Sequence, residues 1–428
     1  MFIGENVIFS LKGYLNLLLL TIVLFFISRQ DLVNLGALSY FNHIFVLICT
    51  ASFLICLILK PLKPKFLILS FFLLIYSFFL VVKNQVPIVN VLQTFFTLKF
   101  VFVFFVIAFG LNADRPFILA KFTEALTCIL LVSSIFVFFD YVSPNSLYTL
   151  AKDGRGIMGI TPGSLFGSRV LYSGFLLLYS ILLLSFRYND VTKLYFIYKP
   201  KIYWSLLLIS FVLLFLTFSR KELFLLLIVY GITTLYKNKG VIRLLLTMFL
   251  IAITPAILAG LWLVIGDSVL ENFNENYVRY KIFYYAMEIF DYNFPFGSGP
   301  GTYGTVMSKM YTDVYTFFDV DKAIIGYGNQ IEGPIFDLFF VSLIAEYGLG
   351  IIFVMWFIFQ PFFSEKDSFV DEVVHVRLLR VNAFLMLVGI GSMVPIMGNM
   401  VGLMLFFLLG IVTSNNSFFV QNRKPINA

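Results

Sequence analysis

Three short clusters of basic residues, each set beside a long apolar run, carry most of the chemistry in this sequence. The first lies in AKDGRGIMGITPGSLFGSR, with Lys152, Arg155 and Arg169. The second is TFSRKE, with Arg220 and Lys221, and the third is RYK, with Arg279 and Lys281. A phosphate or diphosphate held at the headgroup level of a membrane needs such groups. The planar guanidinium fork meets two phosphate oxygens at once and keeps its charge at any physiological pH. Gly154, Gly156, Gly163 and Gly167 would let backbone N–H groups approach the same anion. Any one of these cations also has a plainer use, contacting phospholipid phosphates or pairing with an acid. Three clusters converging on one face favour a substrate phosphate.

The third cluster belongs to the one long polar segment of the chain, 266–334. It holds nine acids against four bases, a net charge of −5, together with a run of tyrosines from Tyr277 to Tyr327. Carboxylates that accept hydroxyl hydrogen bonds and aromatic faces that stack on C–H surfaces suit a sugar, although an ordinary solvated loop has a similar composition. Val278, Ile282, Tyr285 and Ile289 recur at helical spacing, which predicts a helix over 277–290 lying on or dipping into the membrane interface. Pro295 and the sequence FGSGPGTYG then force a turn.

The elements that position this segment are apolar. The 428 residues are 60% hydrophobic and 12% charged, with a mean hydropathy of +0.96. A water-soluble domain carries about 25% charged residues, so the composition describes an all-α polytopic integral membrane protein. Apolar runs of spanning length predict about twelve transmembrane helices, at 11–28, 38–59, 66–82, 95–111, 118–140, 170–186, 203–218, 222–236, 244–265, 335–359, 379–394 and 397–413. We take 1–428 as one membrane domain, with 266–334 as a loop between spans 9 and 10. No small-x-small cleavage site follows the first run, which is expected to stay as a helix. Cys49, Cys56 and Cys128 all lie inside apolar runs and are expected to be reduced packing residues. Trp204, Trp262 and Trp356 fall near predicted helix ends, as in an interfacial aromatic belt.

With the N-terminus inside, the inner segments hold 18 of the 30 lysines and arginines and the outer segments 11, with Lys99 inside a span. This bias places both termini in the cytoplasm and turns 266–334 outward. The net charge of +7 therefore reports topology and not a nucleic-acid partner. Lys99 is placed close enough to a helix end to snorkel, and His43, inside the second span, is expected to make a hydrogen bond within the bundle.

The Arg-led helix, the sequence FPFGSGPGTYG and a further span with an acid nine residues before EYGLG together resemble the O-antigen polymerase and ligase superfamily. TFSRKELFLLL resembles that family's Ser-Arg turn between two earlier spans. The resemblance covers Ser219 to Gly350 in its motifs, and the whole chain in helix count and loop position. It implies the C-type membrane glycosyltransferase fold, a polyprenyl-diphosphate-linked glycan as donor, and no metal or other cofactor. Carried onto this sequence, Arg220 and Arg279 would hold the diphosphate. Lys281, Arg169 and Arg155 join them on the charge argument alone, and Gly297, Gly299 and Gly301 would shape the site. The ligases of that family carry a histidine at the start of the span bearing the EYGLG-like motif, where this sequence has Asp337. Its only histidines, His43 and His375, fall inside a span and in an inner loop.

The polymerase branch follows, with Asp337 or Glu332 as the acceptor of the attacking hydroxyl's proton. Asp337 could equally be a helix N-terminal acid favoured by the dipole, and Glu346 is expected to make a structural hydrogen bond. The expected protein is thus an inverting polymerase in the bacterial inner membrane with a periplasmic active face. Its partners would be undecaprenyl-diphosphate-linked oligosaccharides, membrane lipid and a chain-length regulator. The alternatives are a ligase, which lacks its histidine here, and a lipid-linked oligosaccharide flippase. A flippase usually shows related halves and broken mid-membrane helices, and the sequence suggests neither.

Overall fold

Inside a lipid layer the backbone has only itself to pair with, so apolar runs settle as helices. The computed structural model describes residues 48, 51–55, 58, 75–76, 87–110, 115–142, 160, 162–166, 168–186, 200–238, 278–305, 307–309, 313–320, 338–391, 397 and 399–414. Among the described residues the regular structure is helical, with two isolated β-bridges and no strand. The helices are α1 (Pro87–Gly110), α2 (Arg115–Val142), α3 (Arg169–Ser185), α4 (Pro200–Leu216), α5 (Arg220–Lys237) and α6 (Val278–Tyr292). They continue with α7 (Asp313–Phe317), α8 (Phe339–Tyr347), α9 (Ile351–Phe363), α10 (Ser368–Val373), α11 (Val376–Gly391) and α12 (Met400–Ile411). Three helical stretches, Ile88–Gly110, Arg115–Val142 and Phe339–Phe363, are long and apolar enough to cross a membrane.

Each expected span from 95–111 to 222–236, and each from 335–359 onward, coincides with described helix. The spans at 11–28 and 244–265 lie outside the described residues, as do Cys49, Cys56, Trp262 and His43. Two boundaries differ in ways that matter. Helix α1 begins at Pro87, not at 95, which puts Lys99 about 18 Å from its start at 1.5 Å per residue. Lys99 is 5% exposed, with Nζ 4.9 Å from the Phe100 ring centroid and 5.4 Å from that of Phe96. The expected snorkelling does not occur. The span expected at 335–359 is broken: α8 stops at Tyr347, a 3-10 turn covers Gly348–Gly350, and α9 runs on to Phe363.

The packing gives the bundle two distinct ends. Gly410 of α12 lies against Ile107 of α1, and Gly174 of α3 lies against Val401 of α12, so these three helices run parallel. Helix α5 joins them, parallel to α3 through the intervening α4. The starts of α1, α3, α5, α8 and α12 therefore share one end, here the turn end, where residues 295–305 sit. The opposite, far end is tied by polar contacts. Arg115 donates to the carbonyls of Ala108, Gly410, Ile411 and Thr413. Arg380 donates to the carbonyls of Ser364 and Glu365 and to the Thr413 hydroxyl, and Lys237 donates to the Phe186 carbonyl.

Helices α3 and α12 are central. Every residue from Tyr172 to Ser185 and from Met400 to Ile411 is buried. The outer helices turn apolar stripes outward instead. On α2 these are Leu131, Ile135, Phe138 and Val142, and on α4 they are Trp204, Leu208, Phe211 and Phe215. This is the inverse of a water-soluble bundle, whose outward stripes are polar. Inward, small polar side chains join helices, as in Thr127 with Tyr179, Ser180 with Ser210, and Asn382 with Thr233. Cys128 corrects an expectation, because it is a free thiol exposed on α2 and not a packing residue.

Candidate functional site

The loop's Gly-rich turn is seated in the break between α8 and α9. The Ser298 and Gly299 nitrogens donate to the Ala345 and Glu346 carbonyls at 2.9 and 2.8 Å, and the Leu349 nitrogen donates back to the Pro295 carbonyl at 2.8 Å. Backbone groups freed where the helix stops are thus paired with the turn, which an apolar setting requires. Gly297, Gly299 and Gly301 all take positive φ, at 75°, 102° and 83°. At Gly297 and Gly348 the two backbones approach so closely that a Cβ would meet backbone atoms of the other segment.

Glu346 closes this arrangement from below. It is 0% exposed, and its Oε1 accepts from the Gly301 nitrogen at 2.8 Å, the Tyr303 nitrogen at 3.1 Å and the Thr305 hydroxyl at 2.6 Å. A carboxylate in an apolar span is costly unless such donors surround it. The structural hydrogen bond expected of Glu346 is therefore present, threefold. Polar residues near the start of α1 complete the seat. Asn90 donates to the Pro300 carbonyl at 2.5 Å, and the Gln93 Oε1 accepts from the Met307 nitrogen at 3.3 Å.

Helix α6 docks over the turn. Ile282, Ala286 and Ile289 are buried with Tyr303, Tyr315, Val320 and Ala345 in a small core separate from that of the bundle. The Tyr303 hydroxyl donates to the Ile282 carbonyl at 2.7 Å, and burial holds its pKa well above the ordinary tyrosine value. The apolar stripe expected to meet the membrane is thus covered by the chain itself. Phe283, Tyr284 and Tyr292 are exposed on this helix, together with Glu288 and Asp291.

The cations divide into two groups. Arg169 and Arg220 are the first residues of α3 and α5, which pack side by side with parallel axes. Neither N-cap, Ser168 or Ser219, makes a side-chain cap bond. Two helix N-termini led by cations form a setting that favours an anion through both the unpaired N–H groups and the dipole. Arg220 is exposed and Arg169 half-buried. Arg279 and Lys281 ride on the first turn of α6, whose packing partner is α8.

Sequence reasoning missed two acids here. Glu222, 1% exposed, lies 3.6 Å from Lys221 Nζ and interacts across the helix pair with Arg169. Ser219-x-x-Glu222 has capping-box spacing, but the carboxylate serves the neighbouring cations. Asp140, buried at the end of α2, accepts from the Ser164 nitrogen at 3.1 Å. The Ser164 hydroxyl donates to the Ser133 carbonyl at 2.7 Å, so the approach to Arg169 is latched onto α2. The capping-box spacing was the available signal for Glu222, and Asp140 had none beyond an acid at the end of an apolar run. The candidate bases Asp337 and Glu332, and the weaker phosphate candidate Arg155, lie outside the described residues.

No protein-family model matches the chain, and no curated protein matches it significantly.

Proposed function

We propose that this chain is a membrane-embedded polymerase of a repeat-unit polysaccharide of the O-antigen type. The observation that carries the reading is the pairing of the α3 and α5 N-termini, each led by an arginine, at the end of the bundle that also holds the Gly-rich turn. A diphosphate at a membrane surface is the ligand this charge arrangement suits best.

In this reading the donor is a growing glycan on undecaprenyl diphosphate, and the acceptor is the non-reducing-end sugar of a new lipid-linked repeat unit. The acceptor hydroxyl attacks the donor's anomeric carbon, the C–O bond to the diphosphate breaks, and the hydroxyl proton passes to Asp337 or Glu332. One displacement inverts the anomeric centre. Charge develops on the leaving diphosphate, so Arg220, Arg279 and Arg169, with Lys281 and Arg155, stabilise the transition state where they stand. The site faces the periplasm in the bacterial inner membrane and works with a chain-length regulator.

One observation favours the transporter reading, since the span 339–363 is broken at Gly348–Gly350. Broken helices in transporters line a substrate path, whereas this break is filled by the chain's own Gly-rich turn. The test is deletion of the gene in its source bacterium, followed by a gel of the surface polysaccharide and complementation. Core bearing a single repeat unit, with the ladder restored by wild type but not by Arg279→Ala, is the expected result. Loss of even the single unit would favour the ligase or transporter, and an unchanged ladder would remove the proposal.

A further inference from the structure

The far end of the bundle carries a groove that the proposed reaction does not use. It lies between the end of α9 and the start of α11, with a volume of about 720 Å³. Its walls are apolar, formed by Phe362, Phe363, Val381, Phe384 and Leu385. Three cations line it, Lys366, Arg377 and Arg380, against one lining carboxylate, Glu365.

The three cations are not equivalent. Lys366 pairs with Asp371. Arg380 is committed through its terminal nitrogens to the Ser364, Glu365 and Thr413 oxygens, while its buried Nε has no hydrogen-bond partner among the described residues. Arg377 is exposed and makes no hydrogen bond or ion pair among the described residues. One guanidinium is therefore braced in the floor and another stands open at the rim.

The apolar wall does not end at the groove. Phe363 is 73% exposed and Val381 48% exposed, and Val388 extends the same face of α11. Phe384 stacks edge-on with Phe359 and Phe362, which makes the wall rigid. A soluble anion has no use for such a wall. An amphiphile with a negative head and an acyl chain fits both parts, and the groove sits where a helix of spanning length ends, at headgroup level.

We propose that this groove binds an anionic phospholipid of the leaflet at the far end, its phosphate between Arg377 and Arg380 and one acyl chain along Phe363, Val381 and Phe384. Site and ligand are independent of the polysaccharide reaction at the opposite end.

The full-length protein, purified in a neutral detergent, is titrated with dioleoylphosphatidylglycerol, with dioleoylphosphatidylcholine and with glycerol 3-phosphate, and bound lipid is counted by native mass spectrometry. The expected result is at least about tenfold tighter retention of phosphatidylglycerol than of phosphatidylcholine, with no competition by glycerol 3-phosphate. Arg377→Gln should lose about tenfold, as befits a charge-assisted phosphate contact. Val381→Glu, at an exposed wall position, should weaken the same lipid while leaving thermal stability unchanged. Equal retention of the two lipids, or wild-type retention in both variants, would overturn the proposal. Saturation by glycerol 3-phosphate would make the site one for a soluble anion and would equally remove it.

Discussion

Gly297 and Gly348 sit back to back across the broken span. A Cβ on Gly297 would lie 2.5 Å from the Gly348 nitrogen, and one on Gly348 would lie 2.6 Å from the Gly297 nitrogen. Both have positive φ, 75° and 55°. The close approach lets the Leu349 nitrogen donate to the Pro295 carbonyl and brings the turn within reach of Glu346. Alanine at either position meets backbone that has no rotamer to yield, and should cost at least about 2 kcal/mol. Gly110→Ala is the control, because nothing lies within 4 Å of its Cβ direction. Thermal melts of the detergent-solubilised variants check this, and equal melts for Gly297→Ala and Gly110→Ala would contradict the seating described here.

Glu346 makes the second prediction. Glu346→Ala leaves the Gly301 and Tyr303 N–H groups buried without an acceptor, at about 1–3 kcal/mol for each. Glu346→Gln keeps a carbonyl oxygen in the Oε1 position and should recover much of that loss. Melting temperature should therefore rank wild type, then Gln, then Ala. If polysaccharide synthesis were lost in the Gln variant with its melt intact, Glu346 would have a chemical role beyond holding the turn.

Parts of this site were legible in the sequence for local reasons. Pro295 and its neighbouring glycines announce a turn whatever it touches, and Ile282 and Ile289 mark one helical face. The start of α1 was not legible. Asn90, Gln93 and Thr94 lower the hydropathy of its first turns, so the apolar run begins at 95, with Thr97 just inside it. Three of them, Asn90, Gln93 and Thr97, are buried, and Asn90 and Gln93 hold Pro300 and Met307, more than 200 residues away. The broken span was hidden for the same reason, since Gly348 looks like a tolerated helix glycine until Gly297 is placed against it. Glu222 reads locally as a cap, and only the packing of α3 on α5 brings Arg169 to it.

Tyr303 gives a prediction in pH. Burial raises its folded-state pKa well above the ordinary value of about 10. Its contribution to stability is therefore complete below pH 10 and declines above it, as the unfolded chain ionises first. Tyr303→Phe should cost about 1 kcal/mol near neutrality through the lost bond to the Ile282 carbonyl. It should also flatten the alkaline limb of the stability profile. Chemical denaturation between pH 7 and 11 reads both effects, and an alkaline limb as steep as wild type would assign the decline to another group.

Arg115 and Arg220 should separate stability from activity. Arg115 is buried, donates to four backbone carbonyls at the far end and lies 3.5 Å from Asp367. Arg115→Ala strands those groups and should lower stability by about 3 kcal/mol or more. Arg115→Lys should rescue little, since a single ammonium cannot reach what a fork spans. Arg220 is exposed at the head of α5. Arg220→Ala should leave the melt within about 0.5 kcal/mol of wild type. Under the proposed mechanism it should also slow polymerisation by about 10²–10³, the usual loss on removing one donor to developing negative charge. Purified variants supplied with a lipid-linked repeat unit would show this as slowed chain growth with unchanged folding. Full activity in Arg220→Ala would take the diphosphate away from the paired helix ends and leave Arg279 and Lys281 on α6 as the cations to test.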